Sequence, residues 1–142
     1  MTIRLAFVAA RTDAAVAAQT ALEARFGTVS VDAADVIVAL GGDGLMLHTL
    51  HKHSALKKPV YGMKLGTVGF LLNQFHDENL PERIAKANAT ELAPLEMRAL
   101  AESGATVAAL AYNEVSLLRQ TRQTAHLRVH VNGKVRLPEL VC

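Results

Sequence analysis

The chain has no tryptophan, two tyrosines, four phenylalanines and one cysteine in 142 residues. With aromatics at 4%, its core has to rest on Ala, Val, Leu and Ile rather than on large rings. The single Cys142 excludes an internal disulfide, which fits a reducing cytosol. No apolar run reaches the roughly 20 residues that span a bilayer. The start, Met1-Thr2-Ile3-Arg4-Leu5, leads into an Ala-rich amphipathic stretch rather than a secretory leader. An excess of one charge sign is also missing, since 15 basic and 13 acidic residues leave +2. Apart from Lys57-Lys58 the basic residues are scattered, without stacking aromatics among them. These absences predict a cytoplasmic protein with no nucleic-acid and no membrane partner.

What is present is a hydrophobic content of 51% with 20% charge, the profile of a globular protein long enough for one domain and a little more. Ile3 to Ala10 reads as a buried strand. Thr12 or Asp13 then caps a helix from about Ala14 to Phe26, closed by Gly27, and Thr28 to Val31 is expected as a short second strand. Val36 to Leu40 is apolar on both faces, as a parallel strand covered by helices must be. A glycine turn follows, then a helix from about Leu45 to His53. Beyond Pro59 the run Val60 to Met63 is a further strand, entering a loop with Gly62, Gly66 and Gly69. Asp77 is placed to cap a helix from about Leu80 to Ala89, with Pro81 in its first turn. Strands alternating with helices at this spacing predict a parallel sheet.

After Pro94 the pattern changes. Leu95 to Glu102 and Thr106 to Arg119 are strand-like around a Ser103-Gly104 turn. Leu127, Val129 and Val131 alternate with polar residues up to Asn132-Gly133, a strong hairpin signal, and Val135 and Leu137 resume the alternation. The fold class is therefore α/β, a Rossmann-like parallel-sheet domain over residues 1–95 followed by the start of an antiparallel β domain over 96–142. The few strands of that second part cannot close a sandwich or barrel, so the chain is expected to be truncated within it.

The strand Val36 to Leu40 runs directly into Gly41-Gly42-Asp43-Gly44. A strand, glycines and a helix start put backbone N–H groups at the carboxyl edge of a sheet, where α/β folds bind ligands and where phosphate is favoured. Glycine allows a close backbone approach or a positive φ that a Cβ would oppose. The turn lacks the Gly-Lys-Ser/Thr ending of a Walker A motif, and it is not a Gly-x-Gly-x-x-Gly fingerprint. Asp43 is the informative residue. A carboxylate beside phosphates is repelled unless it holds Mg²⁺ or accepts a proton from an attacking hydroxyl. At a helix N-terminus its pKa is not expected to rise, which leaves an ionised, weak base. Phosphoryl transfer has a loose transition state, so orienting the hydroxyl supplies much of what a base can give. A tight turn with Asp43 near the N-cap would need no ligand at all. The four residues alone leave both readings open.

Two further stretches narrow the choice. A strand followed by Gly-Gly-Asp-Gly resembles NAD kinases, and also diacylglycerol, sphingosine and phosphofructokinases. Gly62-Met63-Lys64-Leu65-Gly66-Thr67-Val68-Gly69-Phe70-Leu71 resembles the NAD kinase segment Gly-x-Asn-x-Gly-x-Leu-Gly-Phe-Leu. Asn113-Glu114, in a β run and close to Arg119, resembles that family's Asn-Glu motif. Together the three matches identify the chain as similar to the amino-terminal portion of a bacterial-type NAD kinase.

The resemblance implies transfer of the ATP γ-phosphoryl, with Mg²⁺, to the 2′-hydroxyl of the adenosine ribose of NAD, giving NADP. It implies NAD and ATP as partners and an assembly of identical subunits. Asp43 would be catalytic, and Gly41, Gly42 and Gly44 would line the phosphates. His48 would reach phosphate where similar enzymes have a basic side chain, although a solvated helix face is the plain alternative. Phe70 would lie against the dinucleotide, its default alternative being core packing. Asn113 would take a base or ribose edge and Glu114 the ribose hydroxyls; otherwise a strand-end bulge exposes both. No metal ligand is assigned, because His48 and His51 lack a nearby carboxylate in sequence. Arg119, His126 and His130 read as solvated strand residues.

The pattern departs from the family at Leu45, where Thr or Ser is frequent, and at Lys64, where Asn is usual. The family's later Asp-Gly and Thr-Gly-Ser/Thr-rich segments have no counterpart before Cys142, so an inactive or weakly binding fragment is one expectation. The rival readings are a lipid or sugar kinase sharing the glycine turn and a non-catalytic dinucleotide-binding module.

Overall fold

A computed structural model describes residues 3–66 and 69–142. Its first part is a four-stranded parallel sheet in the order β1-β2-β3-β4, formed by Leu5–Ala9, Val36–Gly41, Val60–Lys64 and Asn73–Gln74. Parallel neighbours need crossovers. Helix α1, Asp13–Phe26, connects β1 to β2, and α2, Asp43–Lys52, with a 3₁₀ turn at Ser54–Leu56, connects β2 to β3. A third helix, α3, Leu80–Lys86, follows β4.

Why α1 stands where it does is local chemistry. Thr12 sits extended before the helix and its hydroxyl accepts from the Ala15 amide at 3.3 Å, while Gly27 closes the helix at φ 73°. Successive strand side chains point to opposite faces. Leu5, Phe7, Val36, Val38 and Leu40 therefore share one face, in a cluster with Leu22 of α1 and Leu80 of α3. Ile37 and Ala39 point the other way and are equally buried, so β2 is covered on both faces, as its unbroken apolar run requires. Helix α2 lies on that second side, with Leu45 against Gly41 and Met46 against Gly62. Among the described residues no helix is long and apolar enough to cross a membrane.

The second part consists of two antiparallel hairpins. Strands β5, Leu95–Leu100, and β6, Thr106–Ala111, pair across the Ser103-Gly104 turn. Strands β7, His126–Val131, and β8, Lys134–Val141, pair across Asn132-Gly133, whose φ values of 51° and 75° are those of a type I′ turn. These hairpins leave apolar side chains such as Leu100, Val107 and Val141 exposed.

Several expectations need correction. Thr28 to Val31 forms no strand; only the Val29 amide reaches β1, donating to the Leu5 carbonyl at 2.9 Å, and the chain turns again through Ser30 to Ala34. Helix α2 begins at Asp43 rather than Leu45, and α3 ends at Lys86 rather than Ala89. Asp77 does not cap α3, because Asn79 holds that position at φ 50° and Asp77 instead pairs with Arg25 at 3.6 Å. Strand β4 was not foreseen, being only two residues long. Strand β6 stops at Ala111, so Asn113, Glu114 and Arg119 lie beyond it and not within a β run.

Candidate functional site

The glycine turn sits where β2 ends and α2 begins, at the carboxyl edge of the sheet. Gly42 is the N-cap of α2 at φ −121°, and its carbonyl accepts from the Leu45 and Met46 amides at 3.0 and 3.2 Å. With no side chain, Gly42 cannot cap the helix, so the first-turn amides of Asp43 and Gly44 have no acceptor within it. They are suited to an anion.

The three glycines play different parts. A Cβ at Gly41 would stand 3.0 Å from Leu45 Cδ2 and 3.1 Å from Ala10 Cβ, so helix packing alone accounts for glycine there. A Cβ at Gly42 or Gly44 would meet nothing within 4 Å, and neither residue has a positive φ. Nothing in the packing or backbone of the described residues calls for glycine at those two positions. The open space they leave is what a ligand approaching the backbone would use.

Asp43 does not cap its own helix. Its carboxylate spans to the loop after β3, where Oδ2 accepts the Phe70 amide at 3.0 Å and Oδ1 the Leu71 amide at 3.1 Å. Two motifs far apart in sequence thus meet through one side chain. The Phe70 and Leu71 amides, with a smaller contribution from the positive charge of Lys64, hold the Asp43 carboxyl below its ordinary pKa. It is ionised at neutral pH, as the sequence implied, though chiefly through the loop amides. Lys64 ends β3 in register with Gly41, and its Cδ would be 3.4 Å from a Cβ at Gly69. It departs from the family pattern, and its charge acts on Asp43. Of the Gly62 to Leu71 segment, Thr67 and Val68 lie outside the described residues.

Phe70 is 93% exposed, which removes core packing as the reason for its ring. His48 is exposed on α2. Asn113 and Glu114 are both exposed just past β6, so no cost of burying an unpartnered amide and carboxylate arises. They come near α2 indirectly, because the ring of Tyr112 meets His51 edge-on, with centroids 6.4 Å apart. No hydrogen bond among the described residues joins Asn113 or Glu114 to the glycine turn, so the structure brings two of the three motifs together and leaves the third apart. The remaining candidates have structural partners: Arg119 donates to the Gln123 carbonyl, and His126 Nδ1 lies 2.8 Å from Glu139. His130 is on β7, paired with Val135.

Comparison with known proteins identifies the family. The model of the ATP-NAD kinase N-terminal domain matches residues 11–92, which include both the glycine turn and the Phe70 loop. The chain is 56% identical over 140 residues to the NAD kinase of Xanthomonas oryzae pv. oryzae, covering 97% of this chain and 54% of that protein. It is 56% identical over 137 residues to the NAD kinase of Xylella fastidiosa strain Temecula1, covering 96% and 52%. To the NAD kinase of Brucella suis biovar 1 it is 51% identical over 140 residues, covering 99% and 54%. The chain spans about half the length of the curated relatives it matches. With a domain model over more than half its length and a glycine turn tied by Asp43 to the Phe70 loop, the chain belongs to the NAD kinase family.

Proposed function

We propose that this chain carries the phosphoryl-transfer half of an NAD kinase, which moves the ATP γ-phosphoryl to the 2′-hydroxyl of the adenosine ribose of NAD and gives NADP. The observation that carries the reading is the Asp43 carboxylate, ionised, at the start of α2, and bonded to the Phe70 and Leu71 amides. Those two bonds fix its direction and use one acceptor site on each oxygen, leaving others for a hydroxyl. The 2′-oxygen forms a bond to the γ-phosphorus as the bond to the β-γ bridging oxygen breaks, and the hydroxyl proton passes to Asp43 or to water. A depressed pKa makes Asp43 a poor early base. Its main contribution is to orient the nucleophile, which suits a loose transition state.

The first-turn amides and the space at Gly42 and Gly44 receive phosphate, with His48 alongside, and Gly41 keeps Leu45 and the turn in place. The exposed Phe70 ring offers a face to the dinucleotide, and Asn113 with Glu114 take its adenosine half. Asp43 brings one carboxylate, both of whose oxygens already accept amides, and Lys64 adds positive charge beside it. These residues do not build a cation cage of their own. Mg²⁺ accompanying ATP would draw its ligands chiefly from phosphate oxygens and water, the usual habit of that ion.

We further propose two units, residues 1–95 for phosphate and 96–142 as the opening of a β unit for the dinucleotide, in a cytoplasmic assembly of identical subunits. The experiment is ATP- and NAD-dependent NADP formation by the full reading frame that contains this chain. Abundant product from an Asp43→Asn variant would overturn the role given to Asp43.

A further inference from the structure

Side-chain hydrogen bonds and ion pairs of the second part, such as those of Arg98, Arg119 and His126, close on residues of that same part. A contact that does cross to the parallel part is the one between Tyr112 and His51 of α2, whose rings meet at 82° with centroids 6.4 Å apart. Strand β6 is exposed from Thr106 to Leu110, the chain becomes half-buried at Ala111 and Tyr112, and Asn113 and Glu114 are exposed again. From Asn113 to Leu118 there is no helix or strand, and no hydrogen bond among the described residues anchors that stretch. Where Asn113 and Glu114 stand is therefore set largely by the Tyr112 ring just before them. On the other side, His51 lies seven residues after Gly44, so the two share one face of α2. That face is open at Gly44, where a Cβ would meet nothing within 4 Å. Two turns of helix separate the two residues by about 10 Å along the axis. Asn113 and Glu114 start from the His51 end of that face, and about 3.5 Å of chain per residue brings them over it.

We infer that His51 and Tyr112 are positioning residues for NAD: their ring contact docks the start of the Asn113-Glu114 segment on α2 and fixes its distance from the glycine turn. Both act through Asn113 and Glu114 rather than by touching substrate. The inference rests on the NAD kinase function proposed above and extends it to two residues outside the three motifs. The contact needs no charge on His51, because the edge of one ring is attracted to the face of the other. Docking the segment before the dinucleotide arrives lowers the ordering cost that binding would otherwise carry. Loss of either ring frees the segment that holds the adenosine half, so the effect falls on NAD and spares ATP.

Steady-state kinetics of NADP formation by the full reading frame, with NAD and ATP varied in turn, tests this. His51→Ala and Tyr112→Ala should each raise the KM for NAD by about three- to tenfold, the range that one aromatic pair supplies. The change should be a KM effect on NAD rather than a kcat effect or a KM effect on ATP. The double variant should lose no more than either single one, since both remove the same contact. His51→Phe and Tyr112→Phe keep a ring on each side and should restore the parental KM. His51 is exposed, so His51→Ala leaves the core intact and decides the matter even where Tyr112→Ala folds poorly. An unchanged KM for NAD, an equal rise for ATP, or losses that multiply in the double variant overturn the inference. An unsubstituted frame that forms no NADP overturns the function proposed above, whereas NADP formed with an unchanged KM in His51→Ala overturns this inference alone.

Discussion

Replacing Gly44 by alanine should separate folding from ligand binding. Gly44 is the second residue of α2, has no positive φ, and has open space where a Cβ would stand. Alanine there gains helix propensity of about 0.5–1 kcal/mol, which raises the melting temperature of a chain this size by about 2–4 °C. The same Cβ occupies the space from which a phosphate would reach the first-turn amides. Losing one such charge-assisted hydrogen bond costs about 1.5 kcal/mol or more, so ATP affinity should fall by about tenfold or more. Gly41→Ala is the contrasting variant. Its Cβ would stand 3.0 Å from Leu45 Cδ2 and 3.1 Å from Ala10 Cβ, an overpacking that costs about 1–3 kcal/mol. Thermal unfolding followed by circular dichroism, with ATP binding by calorimetry, reads both effects. A Gly44→Ala protein that melts lower, or that binds ATP undiminished, would refute the assignment of that space to a ligand.

Four other outcomes are expected. Phe70→Ala should change stability by no more than about 0.5 kcal/mol, since the ring is 93% exposed, while weakening NAD binding in calorimetry. Leu40→Ala removes a fully buried side chain of β2 and should cost about 2–5 kcal/mol in urea denaturation. Because the folded Asp43 carboxyl lies below its unfolded value of 3.8, its bonds to the loop contribute stability that is present above that pH and lost as pH falls through the folded value. The Phe70 and Leu71 amide resonances should therefore hold their positions from neutrality down to about pH 4 and shift only below it; movement near pH 6 would contradict this. In the full reading frame, Asp43→Asn should lower NADP formation by about 10²–10⁴-fold, with a small loss of stability because Asn Nδ2 cannot accept one of the two loop amides.

Much of the parallel part was legible because its signals are local. The unbroken Val36 to Leu40 run, the Thr12 cap with Gly27, and Asn132-Gly133 each carry their own structural instruction. Thr28 to Val31 misled because β-prone residues form a strand only where a ladder continues, and on the outer edge of β1 the Val29 amide makes one bond before the chain turns through Ser30 to Ala34. Asp77 misled for a similar reason, since Arg25 of α1 takes its carboxylate. At the site, Gly41-Gly42-Asp43-Gly44 and Phe70 were visible as motifs, but their joining through Asp43 is a contact across the sheet edge that no spacing encodes. The different reasons for glycine at positions 41 and 44 likewise depended on what surrounds each.

The most direct test is to express the full reading frame containing this chain, supply ATP, Mg²⁺ and NAD, and locate the new phosphate by phosphorus-31 NMR. The account predicts NADP with its phosphate on the 2′-oxygen of the adenosine ribose, formed only with Asp43 intact. NAD bound without turnover, or phosphate delivered to a lipid or sugar in its place, would contradict it.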